Sequence, residues 1–260
     1  MPRTITLRHD LEALWVSLLA EASYCEQKAA LSCLYPEAEV ESEAMRAGTA
    51  AHSTLEAEAE KIERDELERR IAAGEELNLR EFPLRAKVSG VTLRGHLDHV
   101  ELQGRRARWL YDFKFSRYSD RLFPNHRLQL SLYGLLLAAN GFDVSGLICA
   151  VIVVPPRRWG EGNLIETNPA LANTAIAMSK QLRNEKGGVR RSGSLVGPGF
   201  TVHAFKFSER SARRDFKEAV GYWAGEREAR VADSAAKCRS CPYNEQRLCL
   251  VALAPPGRRR

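Results

Sequence analysis

The sequence predicts an α/β fold, with a central mixed sheet flanked by helices. Helical periodicity in the first seventy or so residues gives way to three strand-like runs, at about 82–89, 91–102 and 107–115. An amphipathic stretch from Asn125 to Ala139 follows. Next comes a wholly apolar run, Leu147 to Val154, which reads as a buried strand. The order is thus helices, a β-meander, a helix and further strands, with helical additions at both ends.

Each element has its own warrant. Leu11, Leu14, Trp15, Leu18 and Leu19 recur at helical spacing, which predicts a helix over about 10–22 with Asp10 as N-cap. A second, longer helix is predicted from Glu43 to Ile71, where charges of both signs alternate at i,i+4 as on a half-exposed face. A polar turn around Gln103 to Arg106 folds the second and third strands into a hairpin. Leu128, Leu132, Leu135 and Leu136 form the apolar stripe of the helix after the meander. A helix at about 169–184, a Gly/Ser-rich loop at 187–199, a strand at 200–207 and a helix at 208–230 complete the regular structure. The loop is the segment expected to be disordered. Residues 1–260 read as one domain: a core at about 43–207, helical parts at 1–42 and 208–250, and a tail at 251–260. No internal repeats occur.

A hydrophobic content of 44% over 260 residues allows a sizeable core. No apolar run reaches the roughly 20 residues that span a bilayer. The N-terminus has neither the apolar run nor the cleavage site of a secretory signal, and Asp10 and Glu12 argue against a transit peptide. A cytoplasmic protein with no membrane association is expected. The net charge of +6 favours an anionic partner only weakly. Arginines cluster at Arg105, Arg106 and Arg108; at Arg117, Arg121 and Arg127; and at Arg157–Arg158, Arg190–Arg191, Arg213–Arg214 and Arg258–Arg260. No Gly-x-x-x-x-Gly-Lys-Ser/Thr loop is present, so no nucleotide-driven motor is expected.

The chemistry concentrates in two short stretches, Gly95-His96-Leu97-Asp98 and Asp112-Phe113-Lys114. Asp112 and Lys114 share a strand face. The hairpin brings Asp98 to about 5 Å, Cβ to Cβ, from Asp112. Two carboxylates and an ammonium have no packing reason to converge on so apolar a sheet, whereas a hard divalent cation, Mg²⁺ or Mn²⁺, supplies one. The Phe113 backbone carbonyl would add an oxygen. Lys114 would orient or help deprotonate a water and neutralise developing charge. Taken alone, Asp-x-Lys reads equally as an ordinary ion pair on a sheet edge. Gly48 and His52 lie i,i+4 on the second helix, where Gly48 would permit close approach and an imidazole would suit Mn²⁺. Gln129 and Tyr133 lie i,i+4 on the helix after the catalytic strand, positioned to touch a phosphate or to orient Lys114. His96 and His99 flank Asp98; His96 reads as a neighbour of the site and not as a ligand.

This ordered set resembles the RecB-like branch of the PD-(D/E)XK nucleases, whose pattern is Gly-x-x-x-His, Gly-x-x-Asp, Asp/Glu-x-Lys and Gln-x-x-x-Tyr. Here Gly48…His52, Gly95…Asp98, Asp112-Phe113-Lys114 and Gln129…Tyr133 match it in order and type, within a resemblance spanning about residues 25–249. The resemblance implies a restriction-endonuclease-like core. It also implies His52, Asp98 and Asp112 as metal ligands, Lys114 as the catalytic lysine, and Gln129 and Tyr133 as positioners of substrate or lysine.

Six cysteines remain to be placed. Cys149 lies in the apolar strand and reads as core. Cys238-x-x-Cys241 and Cys249 look like three ligands of a metal or cluster, with Cys25 or Cys33 as the fourth. Iron–sulfur members of the RecB-like group place one cysteine before the nuclease core and three after it. They include CRISPR-associated adaptation exonucleases, exonuclease V and AddB-type subunits. The resemblance implies Cys25, in Tyr24-Cys25-Glu26-Gln27, as the first ligand and a [4Fe-4S] cluster closing a helical lobe, with a Zn²⁺ site as the alternative. The Cys241–Cys249 spacing is slightly longer than the shortest family versions. The expected activity is a Mg²⁺- or Mn²⁺-dependent DNA exonuclease acting on single-stranded or frayed ends, in CRISPR spacer acquisition with an integrase partner or in DNA repair. The alternative is a non-catalytic zinc- or iron–sulfur-stabilised DNA-binding subunit of a helicase or integrase.

Overall fold

A computed structural model describes residues 5–40, 43–57, 62–116, 119–155, 165, 168, 170–190 and 193–255. Of the arginine clusters, Arg117, Arg157, Arg158, Arg191 and Arg258–Arg260 lie outside these residues. The elements run β1 (Leu14–Trp15), α1 (Val16–Ala22), α2 (Glu26–Leu34), α3 (Glu43–Ala57), α4 (Arg64–Ala72), β2 (Glu76–Val88), β3 (Val91–Gln103), β4 (Arg106–Phe115) and α5 (Pro124–Ala139). They continue with β5 (Ile148–Val154), α6 (Ala170–Ser179), β6 (Ser194–Gly197), β7 (Phe200–Lys206), α7 (Glu209–Val220), α8 (Ala235–Arg239) and α9 (Pro242–Glu245).

The sheet is mixed and flanked by helices, as expected. Among the described residues its order is β1-β3-β4-β5-β7-β6, with β2 paired along β3. Only β1–β3 and β4–β5 are parallel. The parallel β4–β5 pair requires a crossover, and α5 provides it. Every residue of β5 is buried, as a strand covered on both faces must be. One face carries α1, α5 and α7, with Leu19, Leu130, Leu137 and Phe216 packed on Leu93, Leu110, Val151 and Phe205. The other carries α3 and α6, with Leu55, Leu171 and Ile176 packed on Tyr111, Phe113 and Ile152. A small third cluster joins Leu31 and Ala38 to Tyr243, with Cys241, Leu248 and Cys249 against it.

Several boundaries differ from the sequence expectation, each for a tertiary reason. The first helix starts at Val16, not near residue 10, because Leu14 and Trp15 pair with Leu93 and Arg94. Asp10 is not an N-cap but part of a short 3₁₀ turn, at φ 54°. The long helix over 43–71 is two helices, α3 and α4, with non-helical residues 62–63 between. The segment 187–199, expected to be disordered, contains β6, which returns to β7 through a turn at Gly199 (φ 86°). Such a left-handed residue suits glycine. The last long helix stops at Val220, and the chain then turns to bury Tyr222 and Trp223.

Candidate metal centre

The β3–β4 ladder ends at His99↔Tyr111. Beyond it the strands part, and Asp98, next in register opposite Asp112, fills the gap. The Phe113 N–H donates to Asp98 Oδ2 at 2.8 Å. In an extended strand one residue's N–H and C=O leave on the same edge, so the Phe113 carbonyl faces the same gap.

Asp112 is wholly buried. Its Oδ1 accepts a hydrogen bond from Lys114 Nζ at 3.0 Å. Its Oδ2 is buried with no hydrogen-bond partner among the described residues. Such an atom is expensive to leave unpaired, and a carboxylate oxygen in this state fits a hard divalent cation. Burial pushes both carboxyls above their ordinary range; His52 and Lys114 counter this at Asp98, and Lys114 counters it at Asp112. Burial alone would lower the Lys114 pKa, but Asp112 and Asp98 raise it, so the side chain is an ammonium in the metal-free chain.

His52 reaches the gap from α3, whose Ala51 and Leu55 anchor it on the sheet. The ring stands edge-on to Phe115. Its Nδ1 lies 3.3 Å from Glu81 Oε1 and its Nε2 3.9 Å from Asp98 Oδ2. Burial alone would lower its pKa, but the bond to Glu81 and the Asp98 charge raise it to about 9. A cation binding here competes with a proton. His52, Glu81 and Asp98 offer ligand atoms within 4.8 Å of one another, the one such group of three among the described residues.

α5 closes the other side. Tyr133 stands one turn after Gln129 on α5, and the Gln129 side chain and the carboxylates of Asp98 and Asp112 all act on its hydroxyl. A Cβ on Gly95 would lie 2.6 Å from Tyr133 Cε1, so only glycine leaves room for this ring over β3. Gly48 has no comparable constraint: a Cβ there would meet Phe115 at an ordinary 3.7 Å, so nothing in the chain itself requires the close approach expected for it. His96 is exposed and packs edge-on against Trp15, while His99 is buried against Tyr111.

Two side chains at the site escaped the sequence reading. Glu81 left one trace. The buried positions run Leu77, Leu79, then Leu84 and Val88, so the in–out alternation of β2 reverses around it. His126, three residues before Gln129, left none. It stands edge-on to Phe123, its Nδ1 is buried without a partner among the described residues, and the charges of Lys114 and Asp112 act on it.

Lys114, Asn125, His126 and Gln129 line one wall of a cavity of about 560 Å³; Cys25, Cys238, Cys241 and Cys249 line it further along. Backbone N–H groups of Lys28 and Leu253 point at the sulfurs of Cys25 and Cys238, both at 3.4 Å. Burial raises the Cys25 and Cys249 thiol pKa values. Cys33 packs against the main core instead, and Cys149 is buried in β5 as expected. Of the described arginine clusters, Arg105, Arg213 and Arg214 are paired with Glu68, Glu209 and Asp215. Arg121 and Arg127 lie over Phe123 and Phe205 beside the start of α5.

The sequence profile of the PD-(D/E)XK nuclease superfamily matches residues 9–246. The chain belongs to this superfamily, whose membership points to metal-dependent nuclease activity and to DNA binding. Among solved structures, the crystal structure of SSO0001 superposes with a TM-score of 0.51 at 14% identity, over 93% of this chain and 87% of that one. It shares the fold. A search of curated protein sequences finds no match. Among the described residues no helix is long and apolar enough to cross a membrane.

Proposed function

We propose that this chain is a RecB-like, divalent-metal-dependent deoxyribonuclease, acting as an exonuclease on single-stranded or frayed DNA ends. The observation that carries the reading is Asp112 Oδ2, buried with no hydrogen-bond partner among the described residues, beside Lys114 and Asp98. His52 Nε2, the two carboxylates and the Phe113 carbonyl would hold Mg²⁺ or Mn²⁺. When bound, the cation would supply Lewis acidity and charge relief at the scissile phosphate. Lys114 keeps its proton and presents a positive donor to a phosphate oxygen or an incoming water, stabilising negative charge as it develops. Gln129 and Tyr133 support the wall against which that lysine lies. Arg121 and Arg127 would meet flanking phosphates.

The cavity cysteines support a [4Fe-4S] cluster held by Cys25, Cys238, Cys241 and Cys249. Four thiolates could instead hold a single Zn²⁺, the alternative that metal content distinguishes. CRISPR spacer acquisition with an integrase and end processing in DNA repair are both compatible with such an enzyme.

Digestion of end-labelled single-stranded and duplex DNA tests the reading. Wild type should degrade single strands with Mg²⁺ or Mn²⁺ and not with chelator. DNA binding without cleavage under every condition would overturn it and leave a non-catalytic subunit. Anaerobically purified protein should be brown with about four irons per chain; colourless, zinc-loaded protein would refute the cluster.

A further inference from the structure

Glu81 sits where β2 should be regular and is not. Its φ of 45° puts a non-glycine residue in the left-handed region in mid-strand, a conformation that costs free energy and persists only where something holds it. The register places it between the Arg80–His99 and Phe82–Leu97 pairs, opposite Asp98, and that one pair is missing from an otherwise continuous ladder. The in–out alternation of both strands slips here: the residues that reach the same main core switch from Leu93 and Leu97 to Val100 and Leu102 on β3, and from Leu77 and Leu79 to Leu84 and Val88 on β2. The strain thus falls at the one point along β2 that faces the candidate centre.

The carboxylate it delivers meets His52 at Nδ1, 3.3 Å away, while Nε2 of the same ring faces Asp98. An imidazole ligates through one nitrogen, and an acceptor on the other fixes both the tautomer and the ring angle. From this we infer that Glu81 is a positioning residue. It keeps the proton on Nδ1 of His52 and so aims the Nε2 lone pair into the gap between Asp98 and Asp112, and the strained backbone of β2 is retained to place it. This rests on the reading of His52 as a metal ligand.

Mn²⁺ binding to the full chain, followed by titration and by pulsed EPR of the imidazole nitrogen coupling, separates the two claims. Wild type should show the coupling and His52→Ala should not; identical spectra would remove His52 from the centre and with it the basis of the inference. Given the coupling, Glu81→Gln keeps an acceptor oxygen and should retain both the signal and the affinity to within a few-fold. Glu81→Ala should bind Mn²⁺ about 10–100-fold more weakly, with the nitrogen signal weakened or heterogeneous. Glu81→Gly should lose affinity equally while melting, metal-free and above pH 9 where the His52–Glu81 ion pair no longer contributes, no lower than wild type, because glycine accepts the left-handed backbone; a purely structural role would lower the melting temperature instead. Wild-type affinity in Glu81→Ala and Glu81→Gly would overturn the inference. An equal loss in Glu81→Gln and Glu81→Ala would make Glu81 a direct ligand and overturn it as well.

Discussion

The carboxylate centre and the cysteine cavity are assembled in opposite ways. The first is built from neighbouring strands of one sheet, and its parts already touch: Lys114 on Asp112 at 3.0 Å, and the Phe113 N–H on Asp98 at 2.8 Å. The second draws Cys25 from the start of the chain and Cys238, Cys241 and Cys249 from its end. Among the described residues those segments meet through a small apolar cluster, Leu31 and Ala38 against Tyr243, with Gln246 on the Ala38 carbonyl and Lys237 over the Tyr24 ring. A centre framed by a ladder keeps its shape without its ligand. A centre framed by two chain ends relies on the bound group to close it. The first should therefore fail in chemistry when mutated, and the second in stability.

The largest effect tests the first half of that contrast. Asp112→Asn should cut nuclease turnover by about 10²–10³-fold and leave the far-UV spectrum and the sheet intact. A variant retaining a tenth of wild-type turnover would remove Asp112 from the centre. Cys238→Ser tests the second half. Loss of one thiolate from a structural group should lower the melting temperature by on the order of 10 °C, whereas Cys149→Ser, a packing change in β5, should cost only a few degrees. Comparable shifts in the two would mean that no group bridges the chain ends.

How much of this was legible in the sequence follows from which interactions are local. The hairpin, the shared face of Asp112 and Lys114, and the approach of Asp98 all depend on strand period and a short turn. They could be read, and the structure has them. The start of α1 could not, because Leu14 and Trp15 are claimed by Leu93 and Arg94, far along the chain. Nor could the break between α3 and α4, which carries no glycine or proline signal. His126 is notable only because its buried Nδ1 has no hydrogen-bond partner among the described residues. The interval between Cys25 and Cys238 carries no period; only resemblance linked them.

Two histidines sharpen the comparison through pH. Burial, then the charges of Arg80 and Lys180, lowers the His99 pKa to about 3, so the fold holds it neutral. An unfolded histidine titrates near 6.5. The contribution of His99 is complete above that pH and is lost as pH falls towards 3. His52 has the opposite sign: raised to about 9, it stabilises the metal-free chain below pH 6.5, and that support is lost as pH rises through 9. Melting temperatures across pH 3–10 should thus fall at both ends. His99→Phe should flatten the acid limb and His52→Ala the alkaline one. An unchanged acid limb in His99→Phe would assign acid unfolding to other groups.

The smallest effect separates the two glycines of the recognition pattern. Gly95→Ala forces a methyl group to 2.6 Å from Tyr133, an overpacking worth about 1–3 kcal/mol of destabilisation. It should also disturb Lys114 through the Tyr133–Gln129 wall. Gly48→Ala meets nothing closer than Phe115 at 3.7 Å and sits within α3. Alanine in a helix is better than glycine by about 1 kcal/mol, so this variant should melt slightly higher than wild type. If its DNA affinity falls while its melting temperature rises, the bare backbone at Gly48 serves the substrate and not the fold. If activity and affinity both match wild type, that stretch of α3 stays clear of the DNA, and His52 is the helix's whole contribution to the centre.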